Sequence, residues 1–360
     1  MIKPLTSLRF FFALMVFISH LSFFQNSNSE NLKWVYFSIM KEGSLGVSFF
    51  FILSGFILAY NYQEKFLKKD YSIKQFYNAR FARIYPLHFI TFIISTPLFF
   101  YSTELSGKLI LQSLTNLSLT QSFIPIREIY FSFNSPSWSI SNEMFFYLLF
   151  PFIIGLIYSL KKKWYLLLLI FFLVPIGTLI IPSEFYHQLF YINPFVRIFD
   201  FAIGVSIYNL YVHIKKSKIM VNYNYVEISA VLLFVIFFYY HSEIPKVSRY
   251  SFYYWLPMSY IILVFSFQSG IISKLLSHKW LIYLGEISFG IYMYHQLVIR
   301  YFNPLNNKLL GIENELYIAT LILIISLVIS HYSFRYFETP MNTYLKRRLN
   351  KKTTPNNGYT

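Results

Sequence analysis

The feature that most constrains this chain is a series of apolar segments, each near the roughly 20 residues that carry a helix across the hydrocarbon of a bilayer. They fall at about 5–24, 45–62, 84–101, 138–158, 164–181, 190–212, 225–240, 254–272, 280–302 and 316–335. In lipid, only helices or closed barrels satisfy every backbone N–H and C=O. The expected fold is therefore an all-α polytopic membrane protein with about ten transmembrane helices. Composition agrees, since 56% of the 360 residues are hydrophobic and only 13% are charged.

The net charge of +16 does not point to nucleic acid, because the basic residues recur between apolar runs instead of gathering on one surface. Most of the 31 Lys and Arg fall in alternate loops, which predicts that both termini are cytoplasmic and that the longest loop, roughly 102–137, is extracytoplasmic. Within that loop, the Ser-, Thr-, Asn- and Gln-rich run 109–124 reads as an interfacial stretch. The first apolar run follows a basic start, but FISHLSFFQ (Phe17 to Gln25) stands where a small-residue cleavage site belongs, so it reads as a retained helix. The expected organisation is a transmembrane domain over 1–345 and a basic, polar cytoplasmic tail over 346–360. Cysteine is absent, which excludes disulfides and any acyl-cysteine intermediate.

Ionisable groups within apolar segments are costly, about 2.5–3.5 kcal/mol each on insertion scales, so each is a functional candidate until a partner is found. Arg9 and His20 lie eleven residues apart on the first helix. That spacing returns them to nearly one face, about 16 Å apart along the axis. An imidazole is suited to take a proton from a hydroxyl, which makes His20 a candidate general base; the alternative is a packing histidine bonded to a neighbouring helix. Arg80 and Arg83 share a face at i and i+3 and suit a polyanion, unless topology alone places them there.

Ser139 and Glu143 face one side of the fourth segment, where Glu143 is placed to orient His20 or bind a sugar hydroxyl. Trp138 is either a sugar platform or an interfacial anchor. Arg197 and Asp200 at i and i+3 read as a self-neutralising pair, and His295 as a second buried base or a packing residue. His88 and His331 lie near segment boundaries, where a bland role is expected. No His, Asp and Glu grouping has metal-ligand spacing, and no GxSxG, Walker or GxGxxG pattern occurs.

Five of these clusters fall in the order of motifs in a known family. Leu5-Thr-Ser-Leu8-Arg9 through Ala13 and Val16 to His20 resembles LxxLRxxxAxxVxxxH, and Gly46-Val-Ser-Phe49-Phe50 to Ser54-Gly55-Phe56 resembles GVxxFFxxSGF. Arg80 to Pro86 is similar to RxxRxxP, Ser137-Trp138-Ser139 to Glu143 to WSxxxE, and Ser288 to His295 to SFxIYLxH. Together they resemble the membrane acyltransferase family 3, over nearly the whole chain.

The resemblance implies an enzyme of the bacterial inner membrane that moves an acyl group, commonly acetyl, from acyl-coenzyme A to a hydroxyl of a cell-surface or lipid-linked carbohydrate. His20 and Glu143 would then be catalytic. Arg9, Arg80 and Arg83 would hold acetyl-CoA, and Trp138, Ser139 and His295 would contact substrate. Some family members carry an additional periplasmic hydrolase-like domain, so the chain is expected to act alone or with a separate periplasmic or glycan-assembly partner. A transporter of an acyl donor or glycan precursor is the alternative that buried charges would also suit.

Overall fold

The computed structural model describes residues 1–102, 107–159, 164–217 and 221–351. Its regular elements are helical, in the order α1 (Lys3–Ser19), α2 (Glu30–Ser38), α3 (Gly46–Leu67), α4 (Ile73–Ser102), α5 (Gly107–Leu117) and α6 (Arg127–Tyr130). Then come α7 (Ser137–Ser159), α8 (Trp164–Ile180), α9 (Pro194–Ser217), α10 (Tyr223–Tyr239) and α11 (Lys246–Arg249). The chain ends with α12 (Trp255–Ser266), α13 (Ile271–Leu276), α14 (Lys279–Leu305), α15 (Glu315–Ser333) and α16 (Thr339–Lys351).

Among the described residues, six helical runs are long and apolar enough to cross a membrane: Glu30–Leu67, Ile73–Phe100, Ser137–Leu156, Pro194–Ser217, Tyr223–Glu243 and Glu315–Asn350. Each overlaps one of the ten expected segments. The other four segments correspond to less clear-cut elements. α1 has 17 residues and α12 has 12, while α14 is 27 residues long but carries Lys279, Glu286, His295 and Arg300. The fourth is α8, whose first half includes side chains outside those described, as are Lys161 to Lys163 before it.

The surface is inverted relative to a water-soluble protein. On α5, Ile110, Leu111 and Leu114 point outward while Gln112, Thr115 and Asn116 are buried, as expected of a polar-faced helix whose outer solvent is hydrocarbon. The buried face is well bonded. Asn116 Nδ2 donates to Ser132 Oγ at 2.5 Å, Ser137 Oγ donates to Asn116 Oδ1 at 3.2 Å, and His88 Nε2 meets the Asn116 carbonyl at 2.8 Å. The first part of the expected 109–124 stretch is thus an amphipathic helix packed on α4 and α6.

Two close helix crossings position the site. A Cβ on Gly55 of α3 would sit 2.0 Å from the Phe201 carbonyl of α9, and one on Gly204 of α9 would sit 1.9 Å from the Ile52 carbonyl of α3. The two glycines therefore let these backbones touch, as small residues do where helices associate in lipid. At the second crossing, a Cβ on Gly285 of α14 would be 1.9 Å from the Thr6 carbonyl of α1. From there α1 and α14 run side by side to His20 and His295.

The expected boundary between residues 345 and 346 falls inside α16. The last turn of that helix is tied to α4, where Asn78 Nδ2 donates to the Leu349 carbonyl at 3.3 Å and to Asn350 Oδ1 at 3.1 Å. Residues 352–360, the rest of the expected tail, lie outside the described residues.

Candidate active site

The eight sequence-predicted site residues separate into an inner cavity, an outer histidine pair and one core side chain. The cavity has a volume of about 170 Å³ and is walled by α1, α3, α4, α7 and α14. Arg9, Arg80, Arg83, Ser139 and Glu143 all line it. A second cavity of about 430 Å³ shares Arg9, Leu53, Ile57 and Arg83 with the first and extends to Met1, Tyr60 and Asn61. The two form one path from the amino-terminal end of α1 toward the middle of the bundle, with Arg9 and Arg83 at the junction.

The guanidinium groups are largely unspent. Among the described residues, no carboxylate comes within 4.0 Å of Arg9, Arg80 or Arg83. Arg80 Nη2 donates to Tyr62 Oη at 2.9 Å, its Nε has no partner, and its plane faces the Tyr62 and Tyr147 rings. Arg83 stands 5.8 Å from the centre of the Phe289 ring. The nearby carboxylates are Glu143, which accepts from Tyr147 Oη at 2.9 Å, and the buried Glu338, which accepts from Ser333 Oγ at 3.2 Å and leaves Oε2 without a partner. Both act electrostatically on Arg9 and Arg83 without touching them. Uncompensated charge among apolar walls costs several kcal/mol per ion, and an anion entering the path would recover it.

The outer pair forms at the end of α1. His295 Nε2 lies 3.1 Å from His20 Nδ1. His295 Nδ1 is 3.1 Å from the Ile291 carbonyl, and His20 Nδ1 is 2.9 Å from the Val16 carbonyl. A carbonyl only accepts, so both Nδ1 atoms must carry hydrogen. The neutral His295 therefore presents a lone pair at Nε2, which accepts from His20 Nδ1–H in a bond shared with Val16. That assignment leaves His20 Nε2 as a bare lone pair, held in orientation from behind. This is the arrangement a general base requires, a proton acceptor whose other nitrogen is oriented by a third group.

The orienting partner of His20 is accordingly His295, while Glu143 sits with the arginines and Tyr147. Trp138 is buried, its ring 6.3 Å from Phe51 and 4.9 Å from Tyr191, so it is packed inside the bundle and does not anchor a membrane interface. Arg197 and Asp200 do pair, at 2.8 Å and fully buried, with Trp255 Nε1 donating to Asp200 Oδ1 at 2.5 Å. His331 meets Tyr283 Oη at 2.7 Å. No group of three or more His, Asp or Glu that could hold a metal ion occurs among the described residues.

The profile of the acyltransferase domain matches residues 3–334. The chain belongs to this acyltransferase family. Over 165 residues, 45% of this chain and 40% of the relative, it is 41% identical to acyltransferase MdmB of Streptomyces mycarofaciens. It is 26% identical over 330 residues to peptidoglycan O-acetyltransferase OatA of Listeria monocytogenes, covering 85% of this chain and 52% of the relative. O-acetyltransferase OatA of Staphylococcus aureus is 22% identical over 357 residues, 94% of this chain and 56% of the relative. The chain spans about half the length of these curated relatives. No solved structure matches.

Within this family member, sequence reasoning passed over four residues that the fold brings to the site. Tyr147 follows Glu143 at i+4, a spacing that could have signalled the contact. Tyr292 appears in the fifth motif but carried no charge to mark it. Glu338 follows the last apolar run by a few residues, and Lys346, assigned to the tail, lies in electrostatic range of Arg80 and Arg83. The placement of Tyr292, Glu338 and Lys346 depends on α14, residues Phe334–Glu338 and α16 packing against α1 and α4, which no local pattern reveals.

Proposed function

We propose that this chain transfers an acetyl group from acetyl-coenzyme A to a hydroxyl of a cell-surface or lipid-linked carbohydrate, with His20 as general base. The observation that carries the reading is the hydrogen-bonding of the histidine pair, which leaves His20 Nε2 as an oriented lone pair beyond a cavity lined by three uncommitted guanidiniums. In this mechanism the donor enters along the path from Met1 and Tyr60. Arg80 and Arg83 bind its diphosphate through paired N–H groups, and Arg9 guides the pantetheine arm. Glu143 offsets the mutual repulsion of the arginines as an internal counter-charge, and Ser139 contacts the acyl end. The acceptor hydroxyl gives its proton to His20 Nε2 while His20 Nδ1–H remains bonded to His295 and Val16.

The proposal includes about ten spans with both termini cytoplasmic in a bacterial inner membrane, which lets donor and acceptor approach from opposite sides. The name of the Listeria monocytogenes relative makes peptidoglycan-type glycans the first acceptors to try, and a separate periplasmic partner remains part of the proposal. The deciding experiment places purified protein in lipid nanodiscs with acetyl-coenzyme A and follows release of free coenzyme A with and without glycan. Acceptor-dependent release that falls about 10²–10⁴-fold in His20→Ala is expected for a lost general base. Undiminished turnover in His20→Ala overturns the assignment of His20. Movement of donor or glycan with the thioester intact would instead identify a transporter.

A further inference from the structure

Attack on a thioester places negative charge on the carbonyl oxygen, so a base alone does not complete the site. The surroundings of His20 offer nothing at first sight to receive that charge. His20 ends α1, and the backbone N–H groups of His20, Leu21 and Ser22 are already bonded to the carbonyls of Phe17, Ile18 and His20. The free groups at a helix C-terminus are carbonyls, the wrong polarity for an oxyanion. Arg9 is eleven residues back along α1, about 16 Å away at 1.5 Å per residue.

Tyr292 lies between the cavity and the histidines. It lines the donor cavity on one side and on the other stands one helical turn from His295, with their rings 6.0 Å apart. Its hydroxyl is 2.7 Å from Ser139 Oγ, and Ser139 Oγ donates to the Pro136 carbonyl at 3.0 Å. Tyr292 Oη also lies 3.3 Å from the Pro136 carbonyl, so the phenol proton is held by Ser139 Oγ or by that carbonyl. That bond can be exchanged at low cost. If Tyr292 O–H turns to another acceptor, Ser139 still donates to Pro136 and no buried donor is stranded. Both side chains are almost fully buried, where such a hydrogen bond acts without competition from water.

We propose that the Tyr292 hydroxyl is the oxyanion donor of this site, exchanging its bond to Ser139 or the Pro136 carbonyl for one to the thioester carbonyl oxygen. The inference rests on the acyl-transfer reading above. As the acceptor hydroxyl loses its proton to His20 Nε2, an oxygen lone pair forms the new C–O bond and the carbonyl π pair moves onto oxygen. That oxygen takes the Tyr292 hydrogen bond, with the proton remaining on the phenol. Collapse restores C=O, breaks the C–S bond, and the departing sulfur takes the proton from His20 Nε2. Ester and free thiol leave, and the Tyr292 hydroxyl returns to Ser139 and Pro136.

The test uses full-length protein in nanodiscs with acetyl-coenzyme A and a glycan acceptor, comparing wild type with Tyr292→Phe and with 3-fluoro- and 3,5-difluorotyrosine placed at 292. For Tyr292→Phe the expected result is a kcat lower by about 10²–10³-fold with donor KM within about threefold, the pattern of a group that acts in the transition state. The fluorinated series distinguishes donation from packing, because kcat should rise with the acidity of the protonated phenol. Coenzyme A binding by Tyr292→Phe, measured separately, should be unchanged. A kcat near wild type in Tyr292→Phe, a change confined to KM, or rates indifferent to phenol acidity would each overturn the role of Tyr292 while leaving acyl transfer standing. Absence of turnover in wild type with every glycan tried would overturn both.

Discussion

Two sets of buried charges in this molecule use the same residue types to opposite ends. Arg197 and Asp200 lie at i and i+3 on α9 and spend themselves on each other, on the Tyr250 carbonyl at 2.5 Å, on Ser48 at 2.8 Å and on Trp255. Arg80 and Arg83 lie at the same spacing on α4, yet neither touches a carboxylate, and their partners are a phenol and the faces of aromatic rings. The first set is closed and the second is open. Burial and spacing alone do not mark a functional arginine. Arg197 Nε and Arg80 Nε both lack a partner, so what distinguishes the functional arginine is the absence of a touching carboxylate, beside a cavity that an anion can enter.

That contrast can be broken by substitution. Arg197→Ala should destabilise the fold by about 3–5 kcal/mol, since it leaves Asp200 charged and unpaired; thermal unfolding in detergent reads the loss, and Arg197→Met with Asp200→Leu should recover most of it. If Arg197→Ala were fully stable but inactive, the closed pair would have to be counted as part of the site. Arg83→Ala should behave in the opposite way. Its thermal stability should be at or above wild type because a repelled, unpaired cation has been removed, while donor KM should rise about 10–100-fold, the equivalent of about 1.4–2.7 kcal/mol of lost anion binding.

The smallest expected effect belongs to Lys346. Lys346→Ala should raise donor KM only a few-fold, about the worth of one partly solvated charge, and the difference from wild type should shrink as salt is added. An effect as large as that of Arg83→Ala would mean that α16 belongs to the donor site proper. No effect at low salt would confine the site to α1, α3, α4, α7 and α14.

A shell of the same contrast runs through the whole molecule. Where lipid is the solvent, the outer faces of α10 and α15 need only be apolar, and long apolar runs reveal them. Helices that build the interior carry polar residues for the site, and so blur the same signal. α14 holds Glu286, Ser288, Tyr292 and His295 in one stretch, and α1 is cut short at His20. Two of the spans hardest to read from hydropathy, α1 and α14, thus hold the histidine pair.

The sequence by itself determined what depends on neighbours within a few residues and on the solvent: an all-helical membrane fold, the pairing of Arg197 with Asp200, the shared face of Ser139 and Glu143, and the motifs that place the chain in its family. Tertiary structure decided what depends on which helices touch. It brought His295 to His20 across 275 positions, set Glu143 among arginines from α1 and α4, drew Trp138 into the core, and placed Tyr292 between cavity and base. The physical reason is the range of the interactions. Helix periodicity and transfer into lipid act locally along the chain, whereas the partner of a buried polar side chain is chosen by the close crossings at Gly55, Gly204 and Gly285, which join segments far apart in sequence.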